Sequence, residues 1–227
     1  SACKNGNLDI IEVLIRKGAY LRANTNEGAS PLHYFVRNGD HNDPLKHSKV
    51  MKLLIDGSFI DSENKHGETP LHQAAMKDRF QNVAYLVNAK ADPNKATRFD
   101  FFISVLLFAS FVMLTFFFVV NRHGETPLHF AARGNSHEST TILLQANADP
   151  TIETHDGINV YSVAKKWDPP KIKKTLYDWF VTHKKPMPQE MKEDYDVDNS
   201  DDSEKKLRKK KRKDRTNSTG KSPKCLY

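Results

Sequence analysis

Several groups of residues are of types that could do chemistry. His33, His72 and His129 could ligate a metal ion or move a proton, Glu68 and Glu125 could serve as general bases, and Cys3 and Cys225 could pair or hold zinc. Gly220-Lys221-Ser222 has the ending of a phosphate-cradling loop. Spacing argues against each. The histidines stand 39 and 57 residues apart, one in each copy of a longer pattern, which fits hydrogen-bonded turn staples better than a ligand set. The two glutamates recur because the pattern recurs. A phosphate loop would need glycine at position 215, where Arg215 stands, and no strand precedes it. The cysteines lie near opposite ends, and neither a His-Glu-x-x-His nor a paired-Cys motif occurs. Asn217-Ser218-Thr219 is a glycosylation sequon by pattern alone, and Ser200, Ser203 and Ser222 are phosphorylation candidates whose added charge would oppose a basic cluster nearby. The expectation is a non-catalytic chain with no cofactor, no metal site and no small-molecule substrate.

The pattern that carries the histidines must position everything else. It reads His66-Gly67-Glu68-Thr69-Pro70-Leu71-His72 and again, letter for letter, His123-Gly124-Glu125-Thr126-Pro127-Leu128-His129. A looser copy is Glu27-Gly28-Ala29-Ser30-Pro31-Leu32-His33, and a degenerate one is Asp156-Gly157-Ile158-Asn159-Val160-Tyr161-Ser162. Glycine suits a left-handed turn, Thr or Ser caps the following helix, and Pro at the first helical position loses no needed N–H. Leu then opens an apolar face. Turn, cap, Pro and apolar helix at about 33-residue spacing resemble the ankyrin repeat, with its Thr-Pro-Leu-His-x-Ala signature.

That resemblance implies an all-α repeat solenoid of helix-turn-helix units with projecting hairpin loops. Residues 1–25 read as the second half of a repeat, so the chain is expected to be a piece of a longer protein. Residues 26–64 form a repeat with six extra residues, placed in a polar loop between Gly39 and Lys49, with the second helix read from Val50 to Ile55. Phe35 and Val36 stand where the family usually has two alanines, which implies wider packing. Residues 65–96 are the cleanest copy, 121–154 the next, and 155–180 a degenerate capping repeat with Trp167, Leu176, Tyr177 and Trp179 on the face of a last helix.

Residues 97–120 do not fit. Phe101 to Val120 is a run of 20 residues without a charge, and Thr97 to Val120 hold 8 of the 13 phenylalanines. Gly67 and Gly124 are 57 apart, whereas Gly124 and Gly157 are 33 apart, and removing the 24 residues restores the standard spacing. Three readings stand open: a retained 72-nucleotide intron, a transmembrane helix, or an apolar excursion used in self-association. A span would leave repeats one to three and the last two on opposite sides of a bilayer, where two repeats alone are poorly stable.

The net charge of +7 is concentrated in residues 181–227, which hold 14 Lys/Arg against 9 Asp/Glu. Glu190 to Glu204 are acidic and almost without apolar residues, and the whole tail is expected to be disordered. Lys205, Lys206, Arg208, Lys209, Lys210, Lys211, Arg212 and Lys213 form a cluster that suits nuclear import or an anionic partner, with a solvated charge run as the plain alternative. The opening residues read as repeat rather than secretory leader, and the cysteine usage suits a reducing compartment. The expected setting is cytoplasmic or nuclear, or a single-pass membrane protein if the insertion is retained.

What binds is implied by the resemblance: an unidentified protein partner. Carried onto this sequence, the loop tips are Asn24, Asn26, Glu27, Glu63, Lys65, His66, Arg122, His123, His155 and Asp156. The concave positions are Tyr34, Arg37, Gln73, Met76, Lys77, Phe130 and Arg133, among which Tyr34, Met76 and Phe130 are expected to form an open apolar face. The implied function is a scaffold or adaptor module of an intracellular signalling protein, the alternatives being a membrane-anchored repeat protein or the regulatory block of an enzyme.

Overall fold

A computed structural model describes residues 2–38, 43–98, 124–167 and 170–194. The chain divides into two compact units, Ser1–Trp179 and Phe180–Tyr227.

The first unit is a stack of helix pairs, with no strand among the described residues. The pairs are α1 (Ala2–Asn5) with α2 (Leu8–Arg16), α3 (Pro31–Asn38) with α4 (Pro44–Gly57), α5 (Pro70–Met76) with α6 (Phe80–Asn88), α7 (Pro127–Arg133) with α8 (His137–Gln145), and α9 (Val160–Trp167) with α10 (Pro170–His183). First helices pack on first helices from α1 through α9, while α2 meets α4 and α6 meets α8. Leu32, Leu71, Leu128 and Tyr161 take the same place in successive first helices, and each is at most 4% exposed. Burying one such leucine contributes about 2 kcal/mol. The alanine pairs Ala74-Ala75 and Ala131-Ala132 are fully buried and let the helices approach.

Local sequence explains where the helices start and stop. Thr69 and Thr126 sit in extended backbone ahead of Pro70 and Pro127, each in a capping box closed by the histidine three residues on. The second helices end on a left-handed residue at Gly18, Lys90 and Asn147. A 6→1 bond then closes each turn: Ala19 N–H to Leu14 O at 3.0 Å, Ala91 N–H to Leu86 O at 3.0 Å and Ala148 N–H to Leu143 O at 2.9 Å.

Three expectations need correction here. The second helix of repeat two does not begin at Val50 but at Pro44, because Asp43 caps it through a 3.0 Å bond from Lys46 N–H and Pro44 suits the first position. The extra turns bring His47 onto the Phe35 ring, stacked at 5.0 Å between centroids, which is how a phenylalanine is housed where an alanine would pack. Trp167 lies outside the capping face, being 59% exposed, whereas Leu176 is fully buried. Finally, the tail is structured through residue 194. In the second unit the helix end closes with Lys185 N–H on Phe180 O at 3.2 Å, residues 189–194 are helical, and Met191 is buried. The cluster Lys205–Lys213 lies outside the described residues.

The stack also continues across the insertion. Asn94 bridges repeats three and four, accepting from Asp149 N–H at 2.7 Å and donating to Asn147 O at 3.2 Å, while Asp78 accepts from Ser139 N–H at 3.2 Å and its hydroxyl at 2.8 Å. With α5 and α7 packed on one another, the arrangement that puts repeats three and four on opposite sides of a bilayer does not hold. Among the described residues no helix is long and apolar enough to cross a membrane. Residues 99–123 lie outside them.

Candidate protein-interaction face

The histidines are staples between repeats. In His33, His72 and His129 the Nδ1 lone pair accepts the backbone N–H of Ser30, Thr69 and Thr126 at 3.1, 3.1 and 3.2 Å. Nε2–H therefore donates, reaching across the junction to the carbonyls of Glu68, Glu125 and Ile158 at 3.0, 3.0 and 3.2 Å. Both nitrogens are engaged, so no lone pair is left for a metal. Burial holds His72 down at about 3 and His129 at about 4, and it lowers His33 as well, with the bonds donated to the carbonyls working the other way.

The hairpin tips rest on an equally regular device. Thr25, Asn64, Thr97 and Thr154 each donate N–H to the residue just after the tip glycine, Ala29, Glu68, Glu125 and Ile158, at 2.9–3.0 Å. Each also accepts from Gly28, Gly67, Gly124 or Gly157, all of which have positive φ. At Gly67 the constraint is double, since φ is +70° and a Cβ would lie 2.4 Å from the Arg98 nitrogen. Thr97 was expected to begin the insertion, yet it is a working anchor. It holds Glu125 N–H through Oγ1 at 3.1 Å, as Asn64 Oδ1 holds Glu68 N–H at 3.0 Å. Thr97 thus fills the hairpin position of repeat four, and Gly124 N–H on the Thr97 carbonyl at 3.1 Å closes the turn.

Among the tip residues, Asn24, Asn26, Glu27, Lys65, His66, His155 and Asp156 are exposed. Glu63 is half-buried in an ion pair with Lys95 at 2.9 Å. Arg122 and His123 lie outside the described residues.

The first-helix face departs more from expectation. Arg37 and Lys77 are exposed, and Tyr34, Gln73 and Met76 are half-buried. Phe130 is not open: it is 3% exposed, edge-on to the His72 ring at 4.9 Å and covered by the Arg133 guanidinium at 4.4 Å. Arg133 is itself locked, since its guanidinium forks onto Glu125 at 2.9 and 3.0 Å. Its counterpart pattern in repeat three is Glu68, which takes Asn64 Nδ2 at 2.9 Å and Gln73 Nε2. The motif glutamates thus brace the first helix. Sequence reasoning missed this bracing because residues 125 and 133 are joined across a turn, a spacing with no helical or strand periodicity.

Tyr34 and Met76 are thus half-buried and Arg37 and Lys77 exposed, and the tips in repeats two, three and five are exposed. The structure removes Phe130 and Arg133 from that set.

Comparison with known proteins agrees with this geometry. A family model described as ankyrin repeats in three copies matches residues 1–97, and one described as ankyrin repeats in many copies matches residues 71–145. The E3 ubiquitin-protein ligase KEG of Arabidopsis thaliana is 24% identical over 133 residues, 58% of this chain and 7% of that protein. The transient receptor potential cation channel subfamily A member 1 of Homo sapiens is 28% identical over 132 residues, 58% of this chain and 9% of the channel. Neurogenic locus notch homolog protein 2 of Homo sapiens is 28% identical over 150 residues, 65% of this chain and 5% of that protein. The chain spans less than a tenth of each of these relatives. Capped helix pairs, staples from each first helix to the next repeat, and two family models that overlap along the stack lead to one conclusion: the chain belongs to the ankyrin repeat family.

Proposed function

We infer that this chain is a non-catalytic scaffold or adaptor module that holds a protein partner on the first-helix face of repeats two and three and on the adjoining tips. Ankyrin repeats are a protein-interaction module. One observation supports the finer reading: the signature histidines and glutamates are engaged inside the stack, whereas Tyr34, Arg37, Met76 and Lys77, on or beside the packed helices α3 and α5, are half-buried or exposed. Aromatic and cationic groups on one surface suit a partner with acidic and apolar side chains. The proteins it resembles are far longer, so a place within a larger intracellular signalling protein belongs to the same proposal. So does an anionic partner for Lys205–Lys213.

The test is site-specific photo-crosslinking from position 34, with position 52 on α4 as control, in cells expressing the chain. Partner adducts should form at 34 and not at 52, and Arg37→Glu with Lys77→Glu should abolish them while far-UV circular dichroism is unchanged. Equal adducts from both positions would sink the assignment.

A further inference from the structure

Trp167 ends α9 with 59% of its surface exposed, whereas the other tryptophan, Trp179, is half-buried. Counted from the tip glycines, position 167 matches Lys77 and Gly134 in the two preceding repeats, so the stack itself calls for no large ring there. The charge around it is of one sign. Lys165 and Lys166 lie in the last turn of α9, and Lys171 and Lys174 follow in the first two turns of α10, after a connection of two residues. All four are exposed, and the two helices together carry five lysines, no arginine and one carboxylate, Asp178. The lysines that end α9 suit the negative pole of that helix, but those that begin α10 stand at its positive pole, where a cation is disfavoured. With Ile172 and Leu176 fully buried, α10 turns Lys171 and Lys174 outward.

We propose that this corner rests on an anionic lipid surface, with the indole among the headgroups and the lysines over their negative charges. Tryptophan suits that layer because its ring is apolar and its N–H polar, and lysine lays its stem on the apolar boundary while its ammonium stays in water. A strand of nucleic acid calls for successive open rings, and Tyr177 and Trp179 on α10 are half-buried. The buried centre of a protein interface favours arginine and is poor in lysine, the reverse of this composition. The contact is peripheral, so no helix crosses the bilayer, and it does not rest on the partner-binding reading, whose residues lie in repeats two and three.

The experiment mixes the full chain with vesicles of phosphatidylcholine alone or of phosphatidylcholine with phosphatidylserine, reading tryptophan emission and its quenching by brominated lipid. The serine-lipid vesicles should move the emission to the blue and allow quenching, and Trp167→Phe should remove both responses. Lys171→Gln with Lys174→Gln should weaken partitioning about twentyfold, at about fivefold for each lysine lost, with far-UV circular dichroism unchanged. Vesicle binding that leaves the Trp167 emission unmoved would assign the attraction to Lys205–Lys213 and overturn the proposal. An equal shift with phosphatidylcholine alone, or partitioning indifferent to the two lysines, would overturn it as well. A shift given by poly-glutamate and not by vesicles would pass the corner to an acidic protein and refute the lipid assignment.

Discussion

Lowering the pH from 7.5 to 5 should destabilise this stack steeply, and His72 makes the reason measurable. Its ring is fully buried, with Nδ1 facing the Thr69 N–H and Nε2–H on the Glu125 carbonyl, so the folded protein refuses a proton down to about pH 3. The unfolded chain takes that proton at about 6.5. Above 6.5 both states are neutral and the histidine costs nothing. As the pH falls through 6.5 the unfolded state gains a proton that the folded state lacks, and stability drops by about 1.4 kcal/mol per pH unit until the folded ring protonates. At pH 5 this amounts to about 2 kcal/mol for His72, and to about the same for His129, held at about 4. His33 adds in the same direction. Together they approach the 5–15 kcal/mol that holds a typical domain. Asp61 and Asp78, whose carboxyls burial pushes up, oppose the trend at lower pH, so the comparison must be differential. Urea midpoints at half-unit pH steps, read at 222 nm for the natural chain and for His72→Gln, provide it. The slope between pH 6.5 and 5 should fall by one proton in the variant. A flat midpoint in the natural chain, or equal slopes in both, would refute the reasoning.

Three further outcomes follow from particular contacts. Gly67→Ala should cost about 1–3 kcal/mol, combining a left-handed alanine with a clash against the Arg98 backbone, and thermal unfolding with a loss under about 0.5 kcal/mol would contradict it. Arg133→Ala should cost about 3 kcal/mol, because it strands the buried Glu125 carboxylate and uncovers Phe130; a chemical-denaturation midpoint that barely moves would show the fork to be dispensable. Deleting residues 99–122 joins Arg98 to His123 and restores the spacing of Thr97 to Gly124, so helical signal and midpoint should survive; collapse of the last two repeats would show that the hairpin depends on the segment.

Much of this architecture was legible because its signals are local. The run His-Gly-Glu-Thr-Pro-Leu-His contains the turn, the cap and the helix start within seven residues, and all three formed as read. The start of α4 was not legible, because Asp43 and Pro44 serve a loop and a helix N-terminus equally well, and tertiary contact with Phe35 decides between them. Thr97 was equally hard to place, since it adjoins the apolar run in sequence while its side-chain oxygen holds the hairpin. The candidate face was read least well. Phe130 and Tyr34 occupy one register position, but only Phe130 has His72 on one side and an arginine pinned by Glu125 on the other. Exposure at a shared position is decided by its neighbours, which no single-residue pattern records.

Each staple ends on a main-chain oxygen. Two of these belong to glutamates and one to Ile158, side chains unlike in charge and branching, yet all three offer the imidazole the same acceptor at 3.0–3.2 Å. A joint that reads only backbone is indifferent to the identity of the unit it grips, so units can be exchanged, duplicated or made to diverge on their outer surfaces without loosening the seam. It also explains how a departure of some two dozen residues between Thr97 and Gly124 leaves the joint at Glu125 with the dimensions of its neighbours.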